Sequence, residues 1–254
     1  MENPWKKVSS NKNLIVPKED EKYIKKLLSS PKYGKLKAEQ QLKLNIYPQH
    51  FVGDIKNSKI IILSLNPGYS SEYYDFYQNE DKYRDILKNN LELKEKEVKF
   101  HAFDYSTTEK RGYWDKKLYP WFKNYIDEKR SNNENGLKSN KLDTYFTNTV
   151  SLIEFFPYHS EKYSDIFDMI ADGEYLPSQK FIFNLIENRI KNKDVIIILA
   201  RSFKKWYQAI PNLMNYEKCF EVSNPQNPSL KFENINRVTR KNSGDIIKKS
   251  LRDE

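Results

Sequence analysis

At 254 residues, with 38% hydrophobic and 31% charged side chains, the chain is long enough for one sizeable core and too apolar for a disordered one. Lys and Arg outnumber Asp and Glu by 44 to 35, a net charge of +9 spread along the chain, which permits a polyanionic partner without requiring one. The single cysteine, Cys219, excludes an intrachain disulfide framework and any four-cysteine metal or iron–sulfur site, and the absence of a membrane-length apolar run or a signal-peptide core predicts a soluble, cytoplasmic protein.

Residues 1–52 read as an appended helical layer. Tyr23, Ile24, Leu27 and Leu28 fall at helical spacing over Asp20 to Leu28, and a second, weaker helix covers Lys35 to Leu44. Lys59 to Leu65 is a strand: the unbroken apolar run Ile60 to Leu63 is halted by Asn66-Pro67-Gly68 and wants cover on both faces, the habit of parallel sheets. A tyrosine-rich stretch, Tyr69 to Tyr77, leads to a charged helix over Lys82 to Glu97. Trp114 to Lys129 reads as a helix presenting Leu118, Trp121, Phe122, Tyr125 and Ile126, and Ser131 to Lys141 as an exposed loop. Thr144 to Phe156 is the second strongly β segment, ending in Pro157-Tyr158-His159-Ser160. Ser178 caps a helix with Ile182, Leu185, Ile186 and Ile190 on one face. Asp194 to Ala200 is another buried strand, followed by a helix with Phe203, Trp206, Tyr207 and Ile210 in register. Cys219 to Val222 is a short strand running into Ser223 to Leu230, and the basic tail from Lys231 carries a final helix near Asp245 to Leu251. This alternation predicts a single α/β domain over residues 1–254, three-layer αβα around a central, mainly parallel four-stranded sheet, with the core over 53–235 and a basic tail over 236–254.

Ligands of such sheets sit beyond the carboxyl ends of the strands. Asparagines stand at three strand ends: Asn66, Asn148 within Thr147-Asn148-Thr149, and Asn224 in Asn224-Pro225-Gln226. An amide side chain offers both a donor and an acceptor, which suits recognition of a neutral heterocycle; the simpler reading is that Asn, Pro and Gly are ordinary turn formers. Nucleotide-cofactor signatures and metal-ligand spacings are absent from the sequence, so neither a cofactor nor a metal is expected.

Taken together, the strand ends resemble the uracil-DNA glycosylase superfamily. Ser64-Leu65-Asn66-Pro67-Gly68 is similar to the first motif of its mismatch-specific branch, usually Gly-x-Asn-Pro-Gly. Tyr145 to Val150 resembles the central strand whose Asn reads the base edge, Asp194 to Arg201 the third strand, and Ser223 to Leu230 the closing motif, with the order kept from Gly53 to Ile235. The resemblance implies a protein that binds DNA, flips a damaged or deaminated base from the stack and hydrolyses its N-glycosidic bond. In that reading Asn66 holds the attacking water, and Asn224 donates to the anion developing on the base. Asn148, Gly68, Tyr69, Phe76 and His159 line the base pocket, with Tyr73, Tyr74 and Tyr77 as further stacking candidates. Ser229, Leu230, Arg237, Arg240 and Lys241 contact the nucleic acid, Leu230 as a wedge in the duplex. Gly68 stands where the classical uracil enzymes carry a Tyr that excludes thymine, which implies a roomier site.

Ser64 replaces the usual Gly, Gln226 replaces the closing Ser, and Phe103-Asp104-Tyr105, Gly112-Tyr113-Trp114-Asp115 and Pro157-Tyr158-His159-Ser160 belong to no motif of the family's well-characterised branches. His159 lies where an imidazole can reach a phosphate or a leaving base, but a lone loop histidine is more simply a satisfied polar group. His50 and His101 have no partner pattern. Paired lysines such as Lys116-Lys117 and Lys204-Lys205 read first as solvated faces. The alternatives are a non-catalytic module of the same fold that binds nucleic acid or protein, and an enzyme acting on small nucleosides.

Overall fold

In the computed structural model the described residues are 1–9, 11, 13–101, 113–114, 116–118, 120–123, 139–169, 174–236, 247–248 and 251. They form an α/β structure with a six-stranded mixed sheet in the order β1-β3-β2-β4-β5-β6, where the sequence predicts four strands. The strands are β1 (Phe51–Val52), β2 (Ile60–Ser64), β3 (Val150–Glu154), β4 (Ile196–Leu199), β5 (Cys219–Val222) and β6 (Ile235–Asn236). β2 pairs with β4 and β4 with β5 in parallel, while β6 joins β5 antiparallel. The two added edge strands are two residues long, too short to show a period of two in the sequence.

The chain forms two compact units. One comprises Met1–Phe51, Leu65–Glu97 and Glu154–Asn188, the other Val52–Ser64, Val98–Ile153 and Arg189–Glu254. The second carries most of the sheet. Because side chains alternate along a strand, Ile60, Ile62, Leu152, Ile196, Ile198 and Phe220 face one way, onto Leu118, Trp121, Phe122 and Phe146. The opposite-facing Ile61, Leu63, Ile197 and Leu199 are just as fully buried, which explains the uninterrupted apolar runs. Arg189 is only 6% exposed; it donates to the Ile55 and Ser58 carbonyls and to Asp194, tying the approaches to β2 and β4 together.

The other unit begins with α1 (Lys18–Leu28), the short α2 (Pro31–Gly34), α3 (Ser71–Asn79) and α4 (Asp81–Glu92). The helix expected over Lys35 to Leu44 is replaced by α2, which starts at Pro31 under a Ser30 cap, and a single 3-10 turn, Ala38–Gln40. The helix expected over Lys82 to Glu97 stops at Glu92, where Leu93 turns left-handed. Tyr158 donates to the buried Asp20 carboxylate, which also accepts from the Ser178 backbone N–H and hydroxyl. Ser178 is therefore not the cap of its own helix; Asp20 caps it from across the chain.

A further correction concerns the expected strand from Thr144. Residues Ser139–Thr149 form a helix, α5, which passes directly into β3. Its aromatic and β-branched composition favours a strand, but Phe146 is fully buried in the core cluster, Asn148 is exposed, and Thr149 Oγ1 donates back to the Tyr145 carbonyl four residues earlier, as on a helix. The remaining helices are α6 (Pro177–Asn192) and α7 (Phe203–Ala209). Of the loop expected over Ser131 to Lys141, residues 131–138 lie outside the described residues and the chain from Ser139 is helical; the helices expected over 114–129 and 245–251 lie partly outside the described residues, and Phe103-Asp104-Tyr105 wholly.

Candidate functional site

The turn after β2 is built from both of its flanks. Asn66 is half-buried, and its Nδ2 donates to the Ser160 hydroxyl at 3.0 Å and to the Pro67 carbonyl at 3.2 Å. A carbonyl only accepts, so the amide cannot be turned over without setting two oxygens against each other. Among the described residues no donor occupies Oδ1, which leaves Asn66 as an oriented acceptor. The Ser160 backbone N–H also reaches the Pro67 carbonyl at 3.4 Å.

His159 sits under the same turn. Its Nδ1 lies 2.7 Å from the Gly68 carbonyl, its ring stacks on Tyr73 with centroids 5.1 Å apart, and it is 1% exposed. Burial pushes its pKa down to about 4, partly offset by hydrogen bonds to the Gly68 and Tyr47 backbone. The imidazole is therefore neutral at pH 7 and donates through Nδ1 to the loop. This corrects the expected role: His159 holds the Asn66–Gly68 turn rather than lining a base pocket. His50 is a second buried imidazole, pushed down to about 3 by burial and lying edge-on to Trp5 at 5.7 Å.

Gly68 is exposed, and a Cβ built on it meets nothing within 4 Å. Tyr69 is half-buried beside it, with Lys43 Nζ 5.0 Å from its ring centroid and Tyr74 at 6.2 Å. The other aromatics expected as stacking candidates are used internally. Tyr73 accepts from Gln49, Tyr77 from the Tyr47 backbone, and Phe76 packs on Tyr83 at 4.9 Å. The hydroxyls of Tyr73, Tyr74 and Tyr77 accept from Gln49, Asn45 and Tyr47 and pin that segment, a role the sequence did not announce.

The residues expected from the closing motif lie in the other unit. Asn224 is exposed, and its Oδ1 accepts from the Gln226 and Asn227 backbone N–H groups, an Asx turn; among the described residues its Nδ2 has no partner. Ser229 accepts from Asn234 Nδ2 at 3.0 Å. Leu230 is 1% exposed, inside the core, with its carbonyl bonded to Trp121 Nε1. A buried core residue cannot serve as an exposed wedge, so that expectation is overturned.

Asn148 is corrected as well. It is exposed in the last turn of α5, and its carbonyl accepts from Lys59 N–H, which puts it beside the amino end of β2. Asn66 lies past the carboxyl end of that strand, roughly 20 Å of extended chain further on. Asn148 therefore does not stand at the carboxyl strand end where it is expected, and it and Asn66 belong to different units. Arg237, Arg240 and Lys241 lie outside the described residues.

Ser160 is the neighbour of Asn66 that sequence reasoning missed. Its only signal was membership of the surplus Pro157–Ser160 stretch. Among the described residues no helix is long and apolar enough to cross a membrane, and no cluster of three or more His, Cys, Asp or Glu is placed to hold a metal. No protein-family model, curated protein or solved structure matches the chain.

Proposed function

We propose that the chain is a uracil-DNA glycosylase-like protein that binds DNA and hydrolyses the N-glycosidic bond of a displaced, damaged or deaminated base. The observation that carries the reading is the Asn66 amide, tied by Nδ2 and open at Oδ1 after the carboxyl end of β2. An amide oxygen is a good acceptor and a poor base. It can orient a water molecule without removing its proton early, which suits a bond that breaks ahead of attack and leaves an oxocarbenium-like sugar.

Asn224 has the opposite end free. Among the described residues its Nδ2 has no partner, while Oδ1 is committed to its own turn in the other unit. The open space at Gly68 suits a base larger than uracil. A four-strand parallel run, β3-β2-β4-β5, is the finer form of the fold in this reading; the same-sense contacts Lys59 N to Asn148 O and Phe156 N to Leu65 O support it.

The test is incubation of the protein with single- and double-stranded oligonucleotides containing uracil, hypoxanthine or an alkylated base, followed by alkaline cleavage of abasic sites. The expected result is strand cleavage with at least one substrate, abolished by Asn66→Ala. No cleavage with any of them sinks the reading. A second reading, a non-catalytic nucleic-acid-binding module of the same fold, is favoured by one observation: Asn148 stands at the amino end of β2, which removes the expected reader of the base edge. It predicts salt-dependent DNA binding with no base released.

A further inference from the structure

The Gly112–Asp115 stretch has no place in the excision reading, yet its Tyr113 has a setting of its own. Tyr113 is 46% exposed, a large aromatic side chain left at the surface. Lys117 Nζ stands 5.3 Å from its ring centroid, and Arg201 Nη2 lies 3.3 Å from its hydroxyl. Trp114 meets the ring edge-on at 5.1 Å and packs against the core cluster, which anchors the platform from behind. Lys117 also donates to Asn227 Oδ1 at 3.1 Å, and the Arg201 backbone N–H reaches the Leu63 carbonyl at 3.3 Å. These residues belong to the second unit and gather where β4 and β5 end.

Neither cation is paired with a carboxylate among the described residues; each instead contacts neutral groups around one ring. A half-exposed ring with an ammonium over one face and a guanidinium at its hydroxyl, neither paired with a carboxylate among the described residues, suits a strand of nucleic acid that offers a base to the ring and phosphates to the two charges. An acidic peptide would satisfy the charges but leave the ring face without a flat partner.

We propose that Tyr113 is a stacking platform for an unpaired base of single-stranded DNA, with Lys117 and Arg201 meeting the flanking phosphates. The choice of DNA rests on the reading above. With Leu230 in the core and unavailable to fill a gap in a duplex, an already unpaired strand is the substrate form this surface suits.

The test uses the full chain, fluorescence anisotropy, a labelled thymidine oligonucleotide and an abasic oligonucleotide of the same length. Tyr113→Ala is expected to weaken thymidine-strand binding about tenfold, the scale of one stacked base. It should leave abasic-strand binding unchanged, and Tyr113→Phe should bind like the wild type. Lys117→Gln and Arg201→Gln should each lower the salt dependence by roughly one phosphate contact. Melting temperatures equal to wild type identify folded variants. Unchanged binding by Tyr113→Ala overturns the platform. So do equal wild-type affinities for the two strands, complete competition by an acidic peptide, or no binding at all. Base release measured on the same samples separates the two proposals: Tyr113-dependent binding with no base released sinks excision alone, and base release with Tyr113-independent binding sinks the platform alone.

Discussion

Asn66 and Asn224 are one residue type with opposite ends of the amide committed, Nδ2 in the first and Oδ1 in the second. Removing Ser160's hydroxyl frees the Asn66 amide to rotate, so Ser160→Ala is expected to lower single-turnover base release about tenfold or more while DNA affinity changes less than twofold. An equal loss in both would mean that Ser160 merely holds the fold. Two glycines separate backbone need from open space. Gly53 has φ +87°, and a Cβ there would meet the Val150 carbonyl at 2.9 Å; at Gly68 it would meet nothing within 4 Å. Gly53→Ala should therefore cost more than about 1 kcal/mol in urea denaturation and Gly68→Ala less than about 0.5 kcal/mol. Equal costs would contradict the assignment.

Among the elements, β2 and β4 were legible because burial on both faces leaves an unbroken apolar run. The helix α5 was not, since Tyr145-Phe146-Thr147-Asn148-Thr149 has strand-like propensity and its helical form goes with Phe146 packing into a core built from residues distant in sequence. That one change of element moved Asn148 to the far end of β2. Asn66 was readable as a strand end, but its partner Ser160 arrives from a segment far along the chain, and no local pattern announces such a contact. Leu230 looked like a loop wedge because its burial depends on Trp121, again distant in sequence. Arg189 is the element-level tie with the clearest cost. Replacing it with Met leaves the Ile55 and Ser58 carbonyls without their donors, and a loss of about 2–4 kcal/mol is expected by denaturant unfolding. A loss below about 0.5 kcal/mol would mean that water replaces the guanidinium.

For the whole molecule, acid stability follows from three buried groups in one unit. Burial holds His50 down to about 3 and His159 down to about 4, and holds Asp20 up to about 6 from an ordinary 3.8. Below pH 6.5 the unfolded imidazoles take up protons that the folded ones refuse, so stability falls as the pH drops through that range. Asp20 works the other way: its folded form gains a proton near pH 6 and loses a buried charge, which favours folding as the pH falls toward 3.8. Two histidines against one carboxyl leave a net loss. The urea midpoint should fall between pH 6.5 and pH 4.5, and less steeply in His50→Phe. A flat profile, or the same slope in the variant, would contradict it.

The excision account turns on whether the Asn66 oxygen takes part in breaking a glycosidic bond, and single-turnover base release by wild type and Asn66→Ala, with DNA binding measured in parallel, addresses that directly. The account predicts release by the wild type, a fall of at least about a hundredfold in the variant, and affinities within about twofold of each other. Equal rates in the two proteins, or no release by either, would contradict it.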